Sequence, residues 1–264
     1  MEILVAATLL SFIVLGLLAV FNQTQRAFKG GMTQTDVLEG GRAVVEMMTR
    51  EMEQITPSQD PYSTNFALWV STSFQNPLLQ GLPGSAELRK NVVQDFFFLS
   101  RMNTDWMAGG YRVLPEYTDA GVGTLYRWGY SSHVRAGSSN FFALYQSAPL
   151  SNYNRVAEGV VHFRVRAFDP HGNLINPGMT NWPRQMYFYT NVIAPDQAAV
   201  VATNHAVPAF VELEMGMLEQ PVYQRWKSLG SPEAQRNYLS NHSARVHIFR
   251  QRVPVRNVDF SVYP

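Results

Sequence analysis

Between Ile3 and Phe21 the chain carries no charged side chain, and only Thr8, Ser11 and Gly16 interrupt an otherwise apolar run. As a helix this segment reaches about 28 Å at 1.5 Å per residue, close to the ~30 Å hydrocarbon thickness of a bilayer. The run therefore reads as a single membrane-spanning helix. A cleaved secretory signal fits less well, since no basic n-region precedes the run and no small-residue cleavage site lies between Asn22 and Lys29. On flanking charge alone, Glu2 before the run and Arg26 and Lys29 after it would keep the rest of the chain in the cytoplasm. A basic leader ahead of Met1 would reverse that orientation. Glu2 itself either caps the helix dipole at the interface or awaits a cation in an assembly.

An amphipathic pattern follows the apolar run. Val37, Leu38, Val44, Val45, Met48, Met52 and Ile55 recur at mostly helical spacing, with Glu39, Arg42, Glu46, Arg50, Glu51 and Glu53 between them. Glu46 and Arg50 form a favourable i,i+4 pair, and Thr56-Pro57 is a stop signal. The whole helix spans roughly 50 residues. Gly30-Gly31 and Gly40-Gly41, at about 1 kcal/mol per glycine relative to alanine, predict a bend, thinning or local melting there.

Beyond Pro57 the chain reads as mostly β. Residues 57–90 are rich in Pro, Gly and small polar residues and read as loop, with one short strand near Phe66 to Val70. Strands are predicted at 92–101, 111–117, 124–130, 140–146, 160–168, 186–192, 209–218 and 245–255. In 160–168, Val161, Phe163, Val165 and Ala167 alternate with His162, Arg164 and Arg166, and Asp169-Pro170-His171-Gly172 makes the turn. In 210–218, Val211, Leu213, Met215 and Met217 alternate with Glu212, Glu214 and Gly216, so one face of each strand is predicted to be buried. Gly121 and Gly123 suggest a hairpin turn. Ser231 as a cap with Pro232 at the first helical position predicts a short helix before the last strand. The architecture is thus α+β: a helix over residues 1–56, its first half in lipid and its second half packed on a mainly antiparallel β head over residues 57–264.

Composition narrows the chemistry. The 264 residues contain no cysteine, which removes disulfides, thiolate metal sites and cysteine nucleophiles. A net charge of +1, with lysine only at positions 29, 90 and 227, gives no broad positive field for nucleic acid. Histidines at 133, 162, 171, 205, 242 and 247 lack the i,i+4 spacing of a zinc-binding helix, and Asp169 with His171 reads better as a turn than as a metal site. No nucleophile elbow, phosphate loop or dinucleotide fingerprint occurs. The consecutive aromatics Phe96, Phe97 and Phe98 are read as shared between core and surface. No enzyme, cofactor or metal is expected.

Glu2-Ile3-Leu4-Val5-Ala6 followed by Thr8-Leu9-Leu10-Ser11 resembles the start of mature type IV pilins and type II secretion pseudopilins. Arg42 to Gln54 is similar to the second helical half of J-type minor pseudopilins and W-type minor pilins. Ala157-Glu158-Gly159-Val160 to Arg166, then Phe168 to Gly172, resembles their strand and turn, and Val207 to Leu213 the strand that follows. The resemblance implies a minor pseudopilin of a type II secretion system, a non-catalytic structural subunit near the tip of a periplasmic pseudopilus. A minor type IV pilin serving pilus assembly, adhesion, motility or DNA uptake is the alternative. A membrane-anchored exported hydrolase or binding protein is a third reading, outside the resemblance. The family reading gives Glu2 the role of neutralising the N-terminal amine of a neighbouring subunit, and the small residues Ala6, Ala7, Ser11, Gly16 and Ala19 would let helices approach closely. Its implied partners are other pilin or pseudopilin subunits, the bacterial inner membrane, an assembly platform and a prepilin peptidase, with the head outside the cytoplasm.

Overall fold

The computed structural model describes residues 2–71, 73–74, 77–81, 88–117, 121–132, 140–176, 185–189 and 199–263. Helix α1 (Glu2–Met52) runs 51 residues without a break. Its C-terminal half lies on a nine-stranded sheet in the order β11-β10-β7-β6-β5-β4-β1-β9-β8, each neighbouring pair antiparallel. The strands are β1 (Thr64–Val70), β4 (Gln94–Met102), β5 (Asp105–Pro115), β6 (Gly123–Ser132), β7 (Tyr153–Phe168), β8 (Met186–Tyr189), β9 (Ala199–Thr203), β10 (Phe210–Leu218) and β11 (Val246–Pro254). A separate small hairpin pairs β2 (Leu79–Gly81) with β3 (Leu88–Lys90). The sheet curls: the Phe163 N–H on β7 reaches the Val92 carbonyl, just ahead of β4, at 2.8 Å, although β5 and β6 lie between those strands.

Curling gives the sheet two covered faces. On the α1 side, Val37, Val45, Met48, Met52 and Ile55 join Phe96, Phe98, Tyr111, Val160, Phe163, Val165, Leu213 and Met215 in the main core. On the other side Phe97, Leu99, Trp106 and Trp128 pack under α2 (Phe141–Ser147), through Phe141 and Tyr145. A third cluster forms where α3 (Gln220–Lys227) and α4 (Pro232–Asn241) bring Val222, Tyr223, Trp226 and Leu239 onto Val161, Leu218 and Val246. The aromatics Phe96, Phe97 and Phe98 are consequently divided between two cores, and none of them reaches the surface.

Several expectations are met with changes. Ser231 caps α4, its side chain accepting from Ala234 N–H, with Pro232 in the first turn. The segment 140–146, read as a strand from its aromatics, is instead helix α2. Its Tyr145 is fully buried and donates to the Tyr111 carbonyl at 2.9 Å, so tertiary packing overrides local β preference there. Helix α3 and strand β9 escaped the sequence reading. Expected strand residues 190–192, and residues 118–120 of the Gly121 turn, lie outside the described residues. In β7 the two-residue alternation holds from Phe163 to Ala167 but fails at Val161. Gly159 takes φ +71°, the β7–β10 register shifts between Gly216 and Met217, and Val160 replaces Val161 on the α1 face. That irregularity is a bulge, which turns one side chain to the opposite face.

Neither glycine pair melts or breaks the helix. Gly41 falls in the buried stripe 37/41/45/48/52, and a Cβ there would collide with the Phe249 ring of β11. At Gly41 the helix comes close to the Phe249 ring of the edge strand, whereas Gly40 faces open space. Gly40→Ala is expected to stabilise the protein by up to about 1 kcal/mol through helix propensity. Gly41→Ala is expected to cost about 1–3 kcal/mol, by overpacking against Phe249. Urea unfolding of the two variants checks this opposition of sign.

Candidate assembly and membrane interface

The first part of α1 stands clear of the head. Apart from Leu4, whose side chain lies outside the described set, residues 2–32 are exposed, Ile3 to 87% and Phe12 to 75%. This stretch has a mean hydropathy of 2.3 over its most apolar window with none of it buried, and it is long and apolar enough to cross a membrane. Its hydroxyls are already satisfied: Thr8 donates to the Val5 carbonyl and Ser11 to the Ala7 carbonyl, each at 2.8 Å. No polar group of these side chains would need a partner in lipid.

Glu2 is exposed in the first turn of α1. Ala6, Ala7, Ser11, Gly16 and Ala19 are exposed as well. At about 100° per residue they are spread around the helix with no sector wider than about 100° left empty, so they form no single seam. A helix of this kind has room for close neighbours on several sides rather than on one stripe.

The junction between helix and head is built from residues far apart in sequence. Glu51 accepts from the Tyr111 hydroxyl at 2.6 Å and from Arg127 Nε at 2.8 Å. Burial, and then the Glu51 charge, push the Tyr111 hydroxyl pKa up, so it stays a donor. Just past the end of α1, Glu53 pairs with Arg256, and Asn257 Nδ2 donates to Thr56 Oγ1 at 2.9 Å. Truncating Glu51 to Ala would leave Tyr111 and Arg127 without their acceptor, and about 2–3 kcal/mol of stability is expected to be lost, by the usual worth of bonds to charged groups. Thermal unfolding of Glu51→Ala against Glu51→Gln measures how much of that loss is charge.

Alternation places His162, Arg164 and Arg166 of β7, with Glu212 and Glu214 of β10, on the face opposite the apolar one. That face holds a nearly buried charge network. Glu212 and Glu214 are 6% and 7% exposed. Arg166 reaches Glu212 at 2.6 Å and Glu214 at 3.1 Å, Arg250 reaches Glu212 at 2.8 Å, and Arg89 reaches Glu214 at 2.7 Å. His162 accepts the Val92 N–H at Nδ1, which leaves its proton on Nε2, 3.5 Å from Glu214 Oε1. At 1% exposure His162 has no access to a substrate. Asp169 likewise serves its turn, accepting from Asn173 N at 2.7 Å and from Asn173 Nδ2 at 2.9 Å. Among the described residues no three His, Cys, Asp or Glu side chains gather as a metal site, and His133 lies outside that set.

The network sets an acid limit. The His162 hydrogen bond first, then the Arg89 and Arg166 charges, hold the Glu214 carboxyl at about 2 against burial. A depressed carboxyl stabilises the fold above its unfolded pKa, so this contribution is lost as pH falls from 4.5 towards 2. Burial lowers the His162 pKa, so His162 works in the same direction once pH falls below 6.5. Burial raises Asp95 to about 6 against its Arg112 partner, which opposes that loss between pH 6 and 3.8. The steep part of acid unfolding is thus expected below pH 4.5. Glu214→Gln is expected to flatten it, as read from melting temperature against pH.

Surface grooves among the described residues border these elements. One of about 610 Å³ lies between α1 and the edge strand β11, and one of about 500 Å³ beside α4 carries Lys90 and Arg236. Another, of about 710 Å³, lies where Lys29 to Thr33 of α1 pass the ends of α3 and α4. The chain matches no protein-family model, no curated protein and no solved structure. Its described architecture is an apolar helix, long enough to span a membrane, continued by an amphipathic half built into an antiparallel β head.

Proposed function

We propose that the chain is a pilin-like filament subunit, a minor pseudopilin of a type II secretion system acting without catalysis near the tip of a periplasmic pseudopilus. The observation that carries this reading is the division of α1 into an outer half with exposed side chains and an inner half held on the head by Met48, Glu51 and Met52, with Ile55 just beyond its end. A plain tether would need the apolar span but would not need to be one rigid rod with its head. In a filament the same rod exchanges lipid contacts for those of neighbouring helices, and the encircling Ala6, Ala7, Ser11, Gly16 and Ala19 suit a helix with several neighbours. Glu2, at the exposed tip, is the residue that pairs with a cation of the adjacent subunit, an interaction strengthened by low dielectric. Before assembly the chain sits in the inner membrane with its head outside the cytoplasm, and its partners are other pseudopilins, the assembly platform and the prepilin peptidase.

The same features serve a minor type IV pilin. Adjacent genes for a secretin and secretion ATPase support the first reading, and genes for pilus retraction support the second. Glu2→Leu is expected to leave the amount of membrane-bound chain unchanged while lowering its recovery in sheared or induced filaments at least tenfold, by the 1.4 kcal/mol that one decade requires. Recovery equal to wild type would remove the role given to Glu2.

A further inference from the structure

The groove at the base of the head lies close to where α1 leaves the lipid. From Phe21, the last residue of the apolar run, to Lys29 the helix rises about 12 Å at 1.5 Å per residue, and Arg26 stands about 7 Å out. The polar layer of a bilayer is about 5–8 Å thick on each side of its hydrocarbon, and helix tilt shortens these heights further. The base of the head therefore hangs just outside the polar layer, close enough for long, snorkelling side chains such as Lys29 to reach back to the lipid phosphates.

The groove is made for that level. Lys29 and Arg245 are exposed on its opposite walls, with half-buried His242 and Tyr238 stacked on each other at 4.0 Å between ring centroids. Exposed Met32 adds an apolar wall. Its one acid, Glu219, is 7% exposed and already engaged by His247 Nε2 at 3.1 Å and Arg245 Nη1 at 3.5 Å. The Arg245 side chain stays 55% exposed, so its guanidinium has faces left for a second anion. A cationic mouth with an aromatic step and an apolar wall matches the chemistry of a phospholipid, phosphate outward and glycerol with upper acyl chain inward.

We infer that this groove holds the headgroup of an anionic phospholipid from the bilayer that α1 spans, docking the base of the head on the membrane before assembly. The inference rests on the anchor reading above. Lipid phosphate sits between Lys29 and Arg245, and extraction of α1 breaks this contact together with the hydrocarbon contacts.

Because the chain has no cysteine, Ala244→Cys provides a single labelling position beside Arg245. The full-length labelled chain is reconstituted in vesicles of phosphatidylglycerol with phosphatidylcholine, or of phosphatidylcholine alone, each carrying a headgroup nitroxide. Quenching is expected to be strong in the anionic vesicles and weak in the zwitterionic ones. Lys29→Gln with Arg245→Gln is expected to reduce the docked-to-undocked ratio by about fivefold per cation, the weight of one basic residue at an anionic surface. Lys29→Arg with Arg245→Lys is expected to restore it, which separates charge from damage to the fold. Equal quenching in both lipids, or no effect of the double Gln variant, overturns the lipid site. An alkaline carbonate wash of the same vesicles tests the anchor separately: release of the chain overturns both readings, and retention with no lipid preference overturns the headgroup site alone.

Discussion

Met48, Met52 and Ile55 are fully buried against the curled sheet, and Glu51 between them takes hydrogen bonds from Tyr111 and Arg127. Burial of three such side chains contributes about 5–9 kcal/mol at 1.5–3 kcal/mol each, an upper figure for a compact unfolded chain. The Glu51 bonds add less, but they have direction, and they fix which turn of α1 meets which strand. Without that register the apolar half would point anywhere relative to the head. With it, the exit of α1, the height of Lys29 and the position of the basal groove are all set.

The two covered faces of the sheet explain why so much charge is buried in a chain of low charge content. Arg166, Glu212 and Glu214 are neighbours across the β7–β10 ladder, and curling brings the segment ahead of β4 against β7, so that Arg89 joins them. Buried pairs of this kind contribute little net stability compared with an apolar core, but removing one partner strands the others. The β7 bulge at Gly159 fits the same geometry. It turns Val161 towards Trp226 and Tyr223, and so lets α3 and α4 pack on a strand whose next residues serve the α1 face.

The long helix was legible because its signal is local: an uncharged run, then apolar residues at helical spacing. Strands β7 and β10 were legible for the same reason, through alternation around Phe163 and Leu213. Residues 141–145 misled because Phe, Phe and Tyr favour strands when considered alone, and contact with Phe97 and Trp128 favours the helix. Gly41 was read as a weak point. It is a contact point, since the Phe249 it accommodates lies far along the chain. The Glu51, Tyr111 and Arg127 cluster had no sequence signal, because its members are brought together by the sheet order alone. Glu2 and the small residues of the apolar run could be named from sequence, but their arrangement around the helix required the helix itself.

Helix α1 is one helix with two separate supports, lipid for its outer half and the sheet for its inner half. Hydrogen exchange of the full chain in lipid nanodiscs, followed through a urea series, tests this directly. Amides 37–52 are expected to lose protection together with β7, β10 and β11 as the head unfolds, while amides 5–21 stay protected throughout. Protection of 37–52 that survives loss of the sheet, or loss of 5–21 in the same transition as the head, would contradict it.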